Sequence, residues 1–218
     1  KKLKENYNIN KDKQSNAGTP KEIFGNFQKL CVGSSSVSEE KIYRLHRIIY
    51  NPTWSKNLYG LRNIFIRFNK IRNRILGFSD NFCLTKPQKK LWSACRILQY
   101  PVGGGHMSKH SDYILKSVSK INFKNKFYQL VLPITERNKN FQEGGAYIVH
   151  KKKVIDVEKF CKIGDILVYK TDILHGVQEI DPQKKLNLRT INGRIVLMNS
   201  LYQNFNKKPS KDKFFKKI

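Results

Sequence analysis

A chain of 218 residues, 39% of them hydrophobic, is long enough to bury one full-sized core. Its formal net charge of +27 favours contact with polyanions such as nucleic acid, but the lysines run along the whole chain, which reads first as a compositional habit. No run of 18 uncharged apolar residues occurs, so no membrane span is expected. Four scattered cysteines without a C-x-x-C pair argue against a zinc ribbon or redox motif, and suit reduced thiols in a cytoplasmic protein. The first residue is Lys, which implies a trimmed chain, and the first residues hold no apolar signal region.

Residues 1–18 are rich in Lys and Asn and are expected to form a flexible basic N-terminus. Thr19-Pro20-Lys21-Glu22 has the form of a helix start, with Ile23, Phe24, Phe27 and Leu30 following at helical spacing. Gly33 and Ser34 to Ser36 mark a loop. Ser36-x-x-Glu39 then caps an expected second helix through Tyr50, with Ile42, Leu45, Ile48 and Ile49 on one face. The third helix has the clearest stripe: Leu58, Leu61, Ile64, Phe65, Phe68, Ile71 and Ile75. Arg62, Arg67, Lys70, Arg72 and Arg74 are expected on its solvated side. Residues 19–91 are therefore read as helical.

From Trp92 onward the texture changes to short strands: Ala94–Val102, Phe127–Ile134, Ala146–His150, Asp165–Lys170, Leu174–Ile180 and Arg194–Tyr202. Gly144-Gly145, Lys151 to Lys153, Gly164-Asp165, Asp181-Pro182 and Asn192-Gly193 punctuate them. Helices first and strands afterwards predict an α+β fold with an antiparallel sandwich or barrel core over 92–206. Residues 19–206 are expected to form a single domain, and 207–218 a basic tail.

The stretch Tyr100-Pro101-Val102-Gly103-Gly104-Gly105-His106-Met107-Ser108-Lys109-His110-Ser111-Asp112 carries the chemistry. In a strand, residues i and i+2 share a face, so His110 and Asp112 project together. That is two-thirds of the two-histidine, one-carboxylate set that holds non-haem Fe(II) and leaves positions open. His106, His150 and His175 are the histidines that could complete it. Glycines before His106 disfavour a helical His-x-x-x-His pair, and three lysines after His150 would repel a cation. His175, which follows a strand, a turn and the start of a second strand, is preferred.

These residues resemble the Fe(II)- and 2-oxoglutarate-dependent oxygenases, in particular their prolyl-hydroxylase-like branch, over roughly residues 94–205. Tyr100-Pro101 with the glycines and His110-Ser111-Asp112 is similar to the family's first iron segment, and Glu143-Gly144-Gly145 to its glycine pair before an outer strand. Gly164-Asp165 leading to Leu174-His175-Gly176-Val177 resembles the second iron segment. Gly193-Arg194-Ile195-Val196-Leu197 resembles the last strand. The resemblance implies a double-stranded β-helix (jelly-roll, cupin-like) core and a catalytic Fe(II) held by His110, Asp112 and His175. It further implies 2-oxoglutarate chelated through its keto-acid end, with O2 at the remaining position. Arg194 would pair with the far carboxylate, with Arg189 as rival because a polar insertion, Asp181 to Asn192, precedes Arg194. Tyr100 would offer a hydroxyl to the cosubstrate.

With Asp112 present, the resemblance implies a hydroxylase acting on an unactivated C–H of a small-molecule, amino-acid-like or peptidyl substrate, with succinate and CO2 as coproducts. A nucleic-acid demethylase of the same superfamily and a non-catalytic cupin-like binding module are the alternatives. The insertion 181–192 and the segment Asp80–Leu91 are expected to shape the entrance.

Overall fold

The computed structural model describes residues 27–37, 40–57, 59–89, 91–112 and 128–203. The expected flexible N-terminus, the helix start at Thr19 and the basic tail lie outside these residues. Ten strands and one α-helix make up the described fold. β1 (Phe27–Val37) and β2 (Glu40–Tyr50) come first, followed by the helix α1 (Arg62–Leu76). Then come β3 (Leu91–Pro101), β4 (Gly105–His110), β5 (Tyr128–Pro133), β6 (Gly145–His150) and β7 (Lys153–Asp156). A 3-10 turn (Val157–Lys159), β8 (Leu167–Lys170), β9 (Leu174–Ile180) and β10 (Gly193–Gln203) complete the order.

All the strand pairings are antiparallel, in the order β7-β6-β9-β4-β2-β3-β10-β5-β8, with β1 added on β2. This is a curled, mostly antiparallel sheet consistent with a jelly-roll-like core. β2 joins its two halves: Arg44 and Leu45 pair with β4, and Arg47 to Tyr50 pair with β3. Gly193 opens β10 where a Cβ would lie 2.2 Å from the Tyr100 carbonyl, and its φ of +111° is one that L side chains rarely adopt.

Two of the expected N-terminal helices are corrected by this arrangement. Phe27 and Leu30 lie in β1, as do Gly33 and the serines read as a loop, and Ile42 to Tyr50 lie in β2. The apolar spacing of β2 satisfies both periods. Ile42, His46, Ile48 and Tyr50 recur at even intervals and are buried, while Ile49 is buried on the opposite face. A strand covered on both faces loses the polar alternation that would mark it.

The two faces of the sheet bury different cores. Trp92, Ala94, Leu98 and Tyr100 of β3 pack inward with Val196 and Met198 of β10, Val131 of β5 and Tyr169 of β8. Cys95, Ile97, Leu130, Ile195 and Leu197 face the other way and meet Phe65 and Phe68 of α1. Strand alternation divides the residues in this manner. The insertion before β10 is tied to this second face: Gln99 donates to the carbonyls of Thr190 (3.2 Å) and Asn192 (2.9 Å), and Arg47 to that of Leu188. These anchors sit on the side of the sheet away from His110 and Asp112.

Among the described residues α1 is the one expected helix that forms, and Gly77 ends it in the left-handed conformation (φ 74°), its N–H bonding Arg74 O. Its buried face differs from the expected stripe. Ile64 and Ile71 are exposed, and Arg72, expected in solvent, is fully buried. The guanidinium of Arg72 donates to Ser93 Oγ (2.9 Å), Asn199 Oδ1 (2.7 Å) and Asn73 Oδ1 (2.6 Å), so every nitrogen of the group is engaged. A basic outer stripe on α1 therefore loses one of its members. Phe65, with 0% exposure, is the helix's main apolar anchor. Phe65→Ala is expected to lower the unfolding free energy by about 3–5 kcal/mol; urea denaturation of the variant measures it.

Candidate metal centre

The register of the sheet assembles the site. β4 and β9 pair so that His110 lies directly opposite His175, after two irregularities that shift the ladder between Gly105 and His110. Their rings are 4.3 Å apart between centroids. Asp112 follows two residues past His110, just beyond the strand end, and turns its carboxylate between the two rings. Its Oδ1 is 3.8 Å from His110 Nε2 and its Oδ2 3.5 Å from His175 Nε2. One ligand atom from each residue falls within 4.8 Å of the others.

The donor set fits a divalent cation. His110 Nδ1 lies 2.8 Å from the Ser108 carbonyl and His175 Nδ1 2.9 Å from that of Ile173. A carbonyl accepts only, so each Nδ1 carries a proton and each Nε2, the other ring nitrogen, faces Asp112 and is the atom that would ligate. Octahedral ligands about 2.1 Å from an ion stand roughly 3 Å apart, so closing on a metal requires movements of about an ångström or less. His106 and His150 stay apart: His106 bonds the Gly104 carbonyl at 2.8 Å, and His150 is exposed at the β6 end. An open groove lined by His106, Lys109, Tyr147, Lys151, Lys152 and Gln178 contains no member of the triad.

Behind Asp112 runs a chain of hydrogen bonds that the sequence reading missed. Gln129 Nε2 on β5 donates to Asp112 Oδ2 at 2.9 Å. Ser200 Oγ on β10 donates to Gln129 Oε1, and Arg96 on β3 donates to Ser200 Oγ at 2.8 Å. Gln129 is 1% exposed and Ser200 0%, so the carboxylate is oriented from a dry interior. Polar residues inside otherwise apolar strands, Gln129 in Tyr128–Pro133 and Arg96 in Leu91–Pro101, were the signal that could have found them.

Tyr100 and Arg194 stand opposite each other across β3 and β10 and face inward. Arg194 is 3% exposed, and its Nε donates to Glu158 Oε1 at 2.6 Å. Glu158, also buried, accepts from Ala146 N at 2.9 Å as well. It reaches this position because residue 145 is glycine, where a Cβ would lie 2.4 Å from Glu158 Cγ. Arg189 is exposed in the insertion. Tyr100 hydroxyl lies 3.9 Å from Met107 Sδ, and burial pushes its pKa up to about 12. Burial likewise raises Tyr169, whose ring is 4.8 Å from that of His175, well above the usual range. Both phenols therefore keep their protons at neutral pH. Burial, and then Arg44, hold His46 well below its ordinary pKa, so it remains neutral beside Tyr100.

No protein-family model matches the sequence, and neither does any curated protein. Among solved structures, a prolyl-4-hydroxylase from Pseudomonas putida is similar at 16% identity, with 73% of each chain covered and a TM-score of 0.47. A 2OG-Fe(II) oxygenase family oxidoreductase from Burkholderia pseudomallei is similar at 13% identity and a TM-score of 0.36, covering 79% of this chain and 73% of that one. The functional reading rests on the geometry of the triad itself.

Replacing Gln129 by Leu keeps the volume but removes the donor to Asp112 Oδ2. Mn(II) affinity, measured by calorimetry, is expected to fall roughly 10- to 100-fold; an unchanged affinity would show that Gln129 does not orient the ligand.

Proposed function

We propose that this chain is an Fe(II)- and 2-oxoglutarate-dependent oxygenase that hydroxylates an unactivated C–H of a small-molecule, amino-acid-like or peptidyl substrate. The observation that carries this reading is the convergence of His110, Asp112 and His175 on one point of the concave sheet surface. The strand order supports it further: β3-β10-β5-β8 and β7-β6-β9-β4 are the two faces expected of a double-stranded β-helix.

His110, Asp112 and His175 would hold the ion from one side, and the remaining positions would be left for a 2-oxo acid and O2. When bound, the metal with 2-oxoglutarate and O2 would supply the oxidising power, the cosubstrate leaving as succinate and CO2. The carbonyl bonds at Nδ1 would hold the Nε2 atoms of His110 and His175 in place to ligate the ion. Gln129 fixes which oxygen of Asp112 is engaged from behind. Tyr100 and Tyr169 remain protonated and can donate to an anionic ligand. Arg194 has Nε committed to Glu158, which leaves the two terminal amino groups of its planar fork for the far carboxylate of the cosubstrate.

His175→Ala is expected to abolish both metal binding and succinate formation with the fold retained by circular dichroism. Anaerobic Fe(II) with 2-oxoglutarate is expected to give the wild-type chain a weak metal-to-ligand absorption band, and its absence would count against chelation. Titrating that band compares the two arginines. Arg194→Ala should weaken 2-oxoglutarate binding by about 1.5–3 kcal/mol, roughly 10- to 100-fold. Exposed Arg189→Ala should stay within about twofold; the reverse order would reassign the contact.

A further inference from the structure

Arg96 is a buried cation that the cosubstrate reading does not use. It is 7% exposed on the concave face of β3. Among the described residues, no carboxylate lies within ion-pair distance of its guanidinium. Its one hydrogen bond runs to Ser200 Oγ at 2.8 Å, its Cζ stands 4.9 Å over the Tyr202 ring, and its Nε is buried without a partner. Arg72 provides the contrast within the same fold: equally buried, it spends each nitrogen on Ser93, Asn199 or Asn73. A guanidinium with an orphaned donor in a dry interior is costly unless an acceptor arrives.

A second orphan packs on the same Tyr202 ring. Trp92 Nε1 is buried with no acceptor, and the Trp92 ring packs on the same Tyr202 at 5.9 Å. Lys29, 5.4 Å over the Tyr50 ring, adds another cation to this aromatic cluster, since Tyr50 pairs across the sheet with Arg96. The cluster is distinct from Arg194. Arg194 pairs with Tyr100, four residues farther along β3, whereas Arg96 turns toward Ser200 and Tyr202. It connects to the metal centre through Ser200, Gln129 and Asp112.

Resting on the oxygenase reading, we infer that Arg96, with Trp92 Nε1, receives a carboxylate borne by the molecule to be oxidised. The substrate class is thus narrowed to acids whose carboxylate enters beside the metal, with Arg194 kept for the cosubstrate. Charge supports this. Arg96 and Arg194 face the interior against Asp112 and Glu158 before a divalent ion is added, so the charge of the ion is left for anionic ligands. A guanidinium fork and an indole N–H are both donors without an acceptor function, which suits them to carboxylate oxygens.

The probe is fluoroacetate, added to the full chain loaded with Mn(II) and saturating 2-oxoglutarate and followed by the paramagnetic relaxation of its ¹⁹F signal. Saturable enhancement is expected, reduced at least fivefold by Arg96→Met, less by Arg96→Lys, and about two- to threefold by Trp92→Phe. 2-Oxoglutarate affinity should stay within twofold in Trp92→Phe, and the Arg96 variants are compared with wild type at saturating Mn(II) and 2-oxoglutarate. No saturable enhancement in the wild type, or enhancement unchanged by Arg96→Met, would overturn the inference. A tenfold loss of 2-oxoglutarate affinity in Arg96→Met, with Arg194→Met unaffected, would make Arg96 a cosubstrate anchor and overturn it as well. Calorimetric titration of the metal-free chain with fluoroacetate separates the two readings. Arg96-dependent binding there, with no binding of metal or 2-oxoglutarate, would remove the proposed chemistry while leaving an acid-binding site.

Discussion

The site depends on one register. Side chains alternate along a strand, so a slip of one residue between β4 and β9 would send His110 or His175 to the other face and dissolve the triad. The ladder reaches the His110–His175 pairing only through two irregularities after Gly105. Bulges of this kind re-aim side chains near functional sites. At Gly176, the residue after His175, a Cβ would meet the Tyr147 hydroxyl at 2.6 Å and the Met107 carbonyl at 2.8 Å. Close approach of three strands is thus part of what holds the histidines together.

The interior around this pair is polar to a degree that a simple β-core would not tolerate. Buried Arg194 is met by buried Glu158, and breaking such a pair by removing one partner generally costs several kcal/mol. Arg72 is met by neutral oxygens alone, and burial lowers its pKa to about 10, which still leaves it protonated at neutral pH. The chain from Arg96 through Ser200 and Gln129 to Asp112 links three strands that are far apart in sequence. Such networks fix one arrangement of the core, and this one ends on the Asp112 carboxylate of the candidate metal centre.

Much of this was legible from residue order. β6, β9 and β10 match the expected strands closely because Gly144-Gly145, Asp181 and Gly193 bound them with clear turn chemistry. His110 and Asp112 were legible because a strand end places i and i+2 on one face, and His175 because an apolar strand follows a turn. β1 and β2 were not legible: Ile42, Leu45, Ile48 and Ile49 satisfy a helical period as well as an extended one, and only pairing with β3 and β4 decides between them. Glu158 was hidden because its partner is 36 positions away and the contact exists only through the packing beside Gly145. Arg72 shows the same limit in a helix, where charge suggested solvent but a socket of Ser93 and Asn199 accepted it.

Among the described residues no helix is long and apolar enough to cross a membrane. What defines the molecule is the small set of inward-facing groups. The most direct measurement is anomalous diffraction from crystals of the chain soaked anaerobically with Mn(II). The account predicts a single strong peak about 2.0–2.3 Å from one atom each of His110, Asp112 and His175. A peak elsewhere with these three side chains unchanged, or none at this point, would contradict it.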